Sequence, residues 1–330
     1  MIVKVAVIYT QKSKDFVRAI ERAKAELAER MFDLEFHLRE GNTKLPECDV
    51  ALIDGYCATE AVLNKYKDRP IGILEKADSA SVFFRDLCKD PRVDKLFKVS
   101  KLHQVNENVK NYRFEEFVCG GFEDSMKKLK VLSGQDLNKV VCGPNFFQYN
   151  HMNKWQNIND DLEKHRNIDV HCVVSTEKYD KNIRAMRKKA VDIVKNMKGI
   201  KSITGEGRPY AANVYREQLI DSKIVVAPFG NGYMSYRQAE AMLAGAVVIS
   251  PDCEFAEAAG HPLVENITYV SCRPDYEDLE DTIGYVLEYW PQFLKLRESA
   301  QNMARELYQP ESIAEVMGKE LAMMYCVSPF

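Results

Sequence analysis

The sequence contains no C-x-x-C pair, although it has nine cysteines. Their odd number and scattered positions argue against a disulfide framework and a zinc site, and indicate free thiols in a reducing compartment. Long apolar runs are lacking too, since none approaches the roughly 20 residues that span a bilayer. The first ten residues lack the small-residue cleavage site of a signal peptide. We therefore expect a cytoplasmic protein without a transmembrane segment.

An excess of charge of one sign is also lacking. The chain has 46 basic and 49 acidic residues, which gives a net charge of −3. This balance argues against a wholly cationic surface, although it leaves room for a local basic patch. With 330 residues, of which 46% are hydrophobic, the chain is long enough for about two domains that need no disulfide or metal to stay folded.

Short apolar runs alternate with amphipathic stretches in the first 130 residues. Strands are predicted at 2–8, 34–38, 50–53 and 71–74, and helices at 15–31 and 58–66. Strands that alternate with helices indicate a parallel sheet covered on both faces. The first half is therefore predicted to be Rossmann-like, although it lacks the usual glycine fingerprint.

The same alternation returns after residues 133–166, whose glycines, asparagines and weak periodicity are typical of a connecting segment. Strands are predicted at 168–174, 200–204, 224–227 and 246–250, helices at 181–197, 214–220 and 236–244, and a helical tail at 278–325. We predict an α/β fold with two Rossmann-like domains that face a cleft. The predicted parts are residues 1–132, the inter-domain segment 133–166, the second domain 167–305, and a C-terminal helix in 306–330 that packs back towards the first domain.

The most informative loop follows the predicted strand 224–227. Two glycines in this loop let the backbone approach a ligand closely, and the helix that follows offers unpaired N–H groups suited to a diphosphate. Arg237 and Glu240 share one face of that helix. Arg237 can neutralise phosphate charge there, and Glu240 can accept hydrogen bonds from ribose or sugar hydroxyls. The alternative is a tight turn with a surface Arg–Glu pair. The candidate ligand-binding residues here are Gly230, Asn231, Gly232, Tyr233, Ser235, Arg237 and Glu240.

This segment resembles the donor-site segment of GT-B glycosyltransferases, closest to the exostosin-like branch and related group-1 enzymes. The resemblance covers residues 215–251, and it rests on Ser235-x-Arg237-x-x-Glu240, on the run 245–249, on Pro228-Phe229-Gly230, and on Tyr215 upstream. It implies transfer of a sugar from a nucleotide-diphosphate sugar to an acceptor hydroxyl, without a metal or another cofactor.

The resemblance further implies that Glu240 holds the ribose or the donor sugar and that Arg237 lies near the phosphates. Gly232 stands where many group-1 members carry a first glutamate, so retaining and inverting mechanisms both stay open. No D-x-D triplet suited to a metal-bound diphosphate stands out. Arg184 is a second candidate for phosphate binding, and its alternative is a solvated helix face.

An inverting enzyme needs a general base near the acceptor hydroxyl, normally from the first domain. Asp54 and Asp78 follow predicted strands, where the cleft is expected, and His103 is a third candidate. The alternative for the two aspartates is a turn-forming or helix-capping role. The remaining histidines have no metal-ligand spacing, so no metal site is predicted and they are interpreted as structural: His37, His151, His165, His171 and His261.

The predicted helix at 181–197 and the residues up to Lys201 are rich in lysine and arginine. The simplest interpretation is an exposed amphipathic helix. Such a face could also attract DNA or an anionic membrane surface. We expect a glycan, a protein or a lipid-linked sugar as the acceptor, and a bacteriophage-type enzyme that glycosylates hydroxymethylated DNA bases is the alternative. Two further alternatives are a nucleotide-sugar epimerase and a non-enzymatic two-domain ligand-binding protein.

Overall fold

The structure is a computed structural model. It describes residues 2–39, 44–75, 84–98, 100–102, 136, 138–142, 152–155, 158, 161–176, 181–207, 210–230, 235–252, 256–258 and 263–327.

The first half of the chain forms a parallel sheet with helices packed on it. Its elements are β1 (Val3–Tyr9), α1 (Lys14–Arg22), α2 (Lys24–Glu29), β2 (Phe32–Leu38), β3 (Val50–Asp54), α3 (Glu60–Lys65), β4 (Ile71–Leu74), α4 (Arg85–Lys89), β5 (Lys95–Lys98), β6 (Ser100–Leu102) and β7 (Val140–Cys142). The strand order is β2-β1-β3-β4-β5-β7. All five residues of β3 are buried, as expected for a strand covered on both faces. The helix predicted at 15–31 is two helices, because Ala23 leaves the helical conformation.

The second half forms a separate parallel sheet in the order β13-β11-β10-β8-β9. Its elements are β8 (Ile168–Val174), α5 (Lys181–Asn196), β9 (Ser202–Glu206), α6 (Ala212–Ile220), β10 (Ser222–Val226), α7 (Tyr236–Leu243), β11 (Val247–Pro251), β12 (Ala256–Ala258), β13 (Val270–Cys272) and α8 (Leu279–Glu288). Strands β8, β10 and β11 are almost entirely buried, so the helices cover both faces of this sheet. The predicted α/β fold with two Rossmann-like halves is confirmed.

A two-stranded antiparallel ribbon joins the halves. Strand β6 pairs with β12, with Ala256 opposite Leu102 and Ala258 opposite Ser100. Because β6 follows the carboxyl end of β5 and β12 follows that of β11, the carboxyl ends of the two sheets meet around this ribbon.

The chain ends in two helices that belong to different halves. Helix α9 (Leu294–Leu307) packs on α7, whereas α10 (Pro310–Val327) packs on α1, α2 and β3 of the first half. Gly72 of β4 makes room for α10, since a Cβ there would lie 3.3 Å from the Met324 methyl carbon. The Glu320 carboxylate pairs with Lys95 Nζ at 3.2 Å. Of the two C-terminal helices, α10 therefore packs on the first half and α9 stays with the second.

Five short strands of three or four residues were not predicted from the sequence, namely β5, β6, β7, β12 and β13. Strand β13 has three residues, and β7 lies inside the segment 133–166 that was predicted to join the domains. Three residues are too few to produce a recognisable periodicity, and the proposed domain boundaries stay a prediction.

Within the described part of the chain, no helix has both the length and the apolar character that crossing a membrane requires.

Candidate functional site

The loop after β10 is anchored by a buried arginine. Pro228 and Phe229 are buried at the carboxyl end of the strand, and Gly230 is half-buried. Arg187 of α5, which is 2% exposed, donates from Nε to the Phe229 carbonyl at 2.6 Å and from Nη1 to the Ser175 carbonyl at 2.7 Å. One guanidinium therefore fixes the loops that follow β8 and β10. Among the predicted ligand residues, Asn231, Gly232 and Tyr233 lie outside the described residues.

Helix α7 begins at Tyr236, as predicted, with Ser235 as its N-cap, and its N-terminus is tied to the sheet. The backbone N–H and the hydroxyl of Ser235 both donate to Gln238 Oε1. Gln238 Nε2 in turn donates to Ser250 Oγ at 3.2 Å, and Ser250 Oγ donates to the Ala227 carbonyl at 3.0 Å. This chain of hydrogen bonds holds the start of α7 against the carboxyl ends of β10 and β11.

The other end of α7 is held by two buried arginines and a glutamine. Arg166 donates to the Ala244 carbonyl at 3.0 Å, and Arg297 donates to the Gly245 carbonyl at 2.7 Å. Gln301 donates to the Leu243 carbonyl at 2.9 Å. Burial lowers the pKa of Arg166 to about 9 and that of Arg297 to about 10.

Cationic donors at a helix C-terminus satisfy its unpaired carbonyls and interact favourably with the helix dipole. Gly245 follows with a positive φ of 69°, and a Cβ at this position would collide with Leu162. Helix α7 is therefore a fixed support whose N-terminus lies at the carboxyl edge of the second sheet.

Arg237 and Glu240 lie together on α7, as the spacing predicted. Glu240 is only 6% exposed, and its Oε2 accepts a hydrogen bond of 3.0 Å from the Tyr215 hydroxyl of α6. Arg237 is half-buried, and its Nε has no hydrogen-bond partner among the described residues. Burial and the Glu240 carboxylate raise the pKa of Tyr215, whereas the Arg237 charge acts in the opposite direction. The phenol is therefore a proton donor next to both predicted donor-site residues.

His171 of β8 lies behind this group and is completely buried. Its ring meets the Tyr215 ring edge-on, with centroids 5.5 Å apart. Burial, with a smaller contribution from the Arg237 charge, lowers the pKa of His171 to about 4. The imidazole is therefore neutral at physiological pH, in keeping with the structural role expected from the sequence.

The sequence analysis chose Arg184 of α5 as a second phosphate-binding arginine. The arginine of α5 that donates to the loop after β10 is Arg187. Arg184 is exposed, whereas Arg187, which sequence reasoning placed on the solvated basic face, is buried. Arg187 falls in register with the buried positions of the helix, namely Ile183, Met186, Ala190, Val191 and Val194. That register is the signal that could have identified it.

On the first sheet, the predicted base Asp54 ends β3 and is 1% exposed. Its Oδ2 accepts a hydrogen bond from Thr10 Oγ1 at 2.9 Å and another from Ser13 Oγ, and its Oδ1 accepts one from the Tyr56 N–H at 3.2 Å. These contacts hold the loop between β1 and α1, as a turn-stabilising aspartate does. The other two candidates, Asp78 and His103, lie outside the described residues.

A buried ion pair lies next to Asp54, at the ends of two neighbouring strands. Sequence reasoning did not single out its two residues. Glu75 follows β4 and Lys98 ends β5, and both side chains are completely buried. Glu75 Oε1 lies 3.5 Å from Lys98 Nζ, and Glu75 Oε2 accepts a 2.9 Å hydrogen bond from the Phe84 N–H. A buried pair must offset a large desolvation cost, so neither charge is tolerated without the other. The available signal was a charged residue at the end of each apolar strand.

Groups of three or more histidine, cysteine, aspartate or glutamate side chains arranged to hold a metal ion are not found among the described residues. The absence of a metal and of another cofactor stays a prediction.

No protein-family model matches the sequence, and no curated protein matches it significantly. Among solved structures, a glycosyltransferase from Rickettsia africae has a TM-score of 0.51 and 12% identity over 99% of this chain and 100% of its own. The chain therefore has the GT-B fold, as expected. Also similar is an α-glucosyltransferase in complex with UDP-glucose and DNA containing an abasic site, with a TM-score of 0.49 and 11% identity over 98% of this chain and 100% of its own. Anabaena HepE in complex with UDP-glucose has a TM-score of 0.49 and 10% identity over 97% of this chain and 100% of its own.

Proposed function

We propose that this protein is a glycosyltransferase that moves a sugar from a nucleotide-diphosphate sugar to an acceptor hydroxyl. The observation that carries the proposal is the position of Arg237 and Glu240, side by side on α7, whose N-terminus is fixed at the carboxyl ends of β10 and β11. Open α/β sheets bind ligands outside the carboxyl ends of their strands. The GT-B fold supports this placement of the donor.

The charges at this edge suit the departure of a nucleoside diphosphate. As the bond to the sugar breaks, negative charge develops on the diphosphate, and the N–H groups of α7 with the Arg237 guanidinium would stabilise it. Glu240 would accept hydrogen bonds from hydroxyls of the ribose or the sugar. Arg187 would keep the loop in place through the Phe229 carbonyl. These groups require no metal ion.

The first half would supply the acceptor side. If the enzyme inverts the anomeric centre, a base must take the proton of the acceptor hydroxyl, and Asp54, Asp78 and His103 remain the proposed candidates. The hydrogen bonds that Asp54 receives from Thr10 and Ser13 favour its turn-stabilising role over the role of the base. A glycan, a protein or a lipid-linked sugar is the proposed acceptor.

DNA is the second candidate acceptor because of one surface. Asp192 is the one exposed acid among the described residues of α5 and the stretch up to Lys201. The exposed basic side chains of the same stretch are Arg184, Lys188, Lys195, Lys198 and Lys201. Such a row suits a phosphate backbone or an anionic membrane surface.

The first test is a thermal-shift screen with UDP-, GDP-, ADP- and CMP-sugars in the absence of metal. A ligand at 100 times its Kd stabilises the protein by about 2.7 kcal/mol, which such a screen detects. No shift with any of the four would contradict the proposal. Binding without transfer to any acceptor would favour the ligand-binding alternative, and conversion of the bound sugar without an acceptor would favour the epimerase.

The second test is transfer by variants of the donor site. We expect Glu240→Ala and Arg237→Ala to abolish transfer and to leave the fold intact. Matched controls are Glu60→Ala and Arg92→Ala, which remove a surface ion pair of 2.9 Å in the first half and should leave kcat/KM unchanged. Wild-type kcat/KM in Glu240→Ala or Arg237→Ala would show that the donor binds elsewhere.

A further inference from the structure

Tyr215 of α6 connects Glu240 of α7 to two aromatic side chains, His171 of β8 and Trp155. Its hydroxyl donates to Glu240 Oε2 at 3.0 Å. Its ring meets that of His171 edge-on at 5.5 Å, and that of Trp155 edge-on at 6.5 Å. The resemblance to a known family gave this tyrosine no role, and nothing in the proposed chemistry above uses it.

The surroundings of Tyr215 leave its ring little freedom to move. His171 is completely buried and Trp155 is 6% exposed. The guanidinium of Arg216 lies over the Trp155 ring, 5.6 Å from its centroid, and adds a cation–π contact to that side. Packing of this kind locks the rotamer of the tyrosine and thereby fixes where its hydroxyl points.

The hydroxyl in turn fixes the carboxylate. A glutamate side chain has several rotatable bonds, and the hydrogen bond from the Tyr215 hydroxyl ties one oxygen of Glu240 to α6. A hydrogen bond to a charged group is stronger than one between neutral groups, so this contact favours one orientation of the carboxylate. A hydrogen bond to one oxygen also restricts the positions open to the other oxygen of the planar carboxylate.

We propose that Tyr215 is a positioning residue that holds the Glu240 carboxylate in the orientation in which it accepts hydrogen bonds from the hydroxyls of a nucleotide sugar. This inference rests on the proposed function and deepens it. It also gives the segment 133–166 a part in donor binding, since Trp155 belongs to this segment and its ring packs on that of Tyr215.

The decisive variant is Tyr215→Phe, which removes the hydroxyl and keeps the ring between Trp155 and His171. Its matched control is Tyr66→Phe, since Tyr66 likewise donates one hydrogen bond from its hydroxyl, at 2.9 Å to the Pro46 carbonyl in the first half. The Kd values of UDP-glucose, GDP-mannose, ADP-glucose and CMP-sialic acid are measured by calorimetry for each variant. We expect Tyr215→Phe to raise the Kd of the nucleotide sugar that binds the wild type about tenfold, and Tyr66→Phe to leave it unchanged.

A double-mutant cycle separates positioning from general stabilisation. If Tyr215 acts through Glu240, then Tyr215→Phe changes the Kd less than twofold in a Glu240→Ala background. Equal increases in both backgrounds would overturn the inference, because they would show a structural effect that does not pass through Glu240.

A second variant approaches the same contact from the other side and serves if Tyr215→Phe folds poorly. Glu240→Asp keeps the charge but withdraws the carboxylate from the phenol, and we expect about the same tenfold increase in Kd. If Glu240→Ala weakens binding while Tyr215→Phe and Glu240→Asp do not, only the positioning role is wrong. A wild-type protein that binds none of the four probes contradicts the proposed function, and the positioning role with it.

Discussion

The buried histidine behind the candidate donor site makes the stability of the second half depend on pH. His171 is completely enclosed, and burial together with the Arg237 charge lowers its pKa to about 4 from 6.5. Between these two pH values the unfolded chain binds a proton at this position and the folded chain does not. The free energy of unfolding must therefore fall as the pH falls from 6.5 towards 4.

The magnitude follows from the two pKa values. Each pH unit between them contributes about 1.4 kcal/mol, so that His171 alone removes about 3 kcal/mol of stability by pH 4. Above pH 6.5 the contribution is constant. This loss is a large part of the total stability of an ordinary domain, which is about 5–15 kcal/mol.

Urea unfolding between pH 4 and pH 7 tests this prediction in wild type and in His171→Gln, which cannot titrate at this position. Tryptophan fluorescence reports on the second half, because one of the two tryptophans of the chain, Trp290, belongs to it and the other, Trp155, packs on Tyr215. Carboxylates titrate in both proteins, so the difference between their unfolding free energies isolates His171. We expect this difference to change by about 3 kcal/mol between pH 7 and pH 4.

The control is His37→Gln, which replaces a histidine whose side chain is 34% exposed in the first half. Its curve should follow that of the wild type within about 0.5 kcal/mol. Parallel curves for wild type and His171→Gln across the whole pH range would refute the reasoning, because they would show that His171 titrates alike in the folded and unfolded chains.

Three further predictions concern single contacts. Arg187→Lys cannot reach both carbonyl partners of the guanidinium, so we expect a loss of about 1.5–3 kcal/mol in unfolding free energy and weaker nucleotide-sugar binding by calorimetry, and unchanged values would contradict the anchoring role. Glu75→Gln leaves Lys98 buried without its counter-charge and should cost about 3–5 kcal/mol, whereas the double variant with Lys98→Met should recover most of that loss in the same denaturation assay. Gly72→Ala places a Cβ 2.7 Å from a leucine methyl group and should lower the free energy of unfolding by about 1–3 kcal/mol. Its control, Gly284→Ala, meets nothing within 4 Å and should raise the free energy of unfolding by about 1 kcal/mol. The opposite order would contradict the packing of β4.

The order of strands and helices could be predicted from the sequence because periodicity is a local property. The apolar runs that became β1, β3, β4, β8, β10 and β11 were recognised, and the spacing of Arg237 and Glu240 placed them correctly on one helix. Strands β5, β6, β7, β12 and β13 were missed, since three or four residues show little periodicity.

The contacts that hold the candidate site together could not be predicted, because they join residues that are distant in sequence. Arg187 binds carbonyls of two loops, and its value as an anchor depends on how β8 and β10 pair. Glu75 and Lys98 are partners only because β4 lies next to β5. Tyr215 was noted as part of a pattern, but its contact with Glu240 requires the packing of α6 on α7.

The return of α10 to the first half has a consequence for synthesis on the ribosome. Strand β7 is the last strand of the first sheet, and α10 begins about 170 residues later, at Pro310. At about 5–20 residues per second, roughly 10 to 30 s pass between the emergence of the two. During that interval the nascent first half has an uncovered apolar surface around Leu27 and Gly72. The half that is made first therefore completes its packing last, and its exposed surface is a target for chaperones until the final helix arrives.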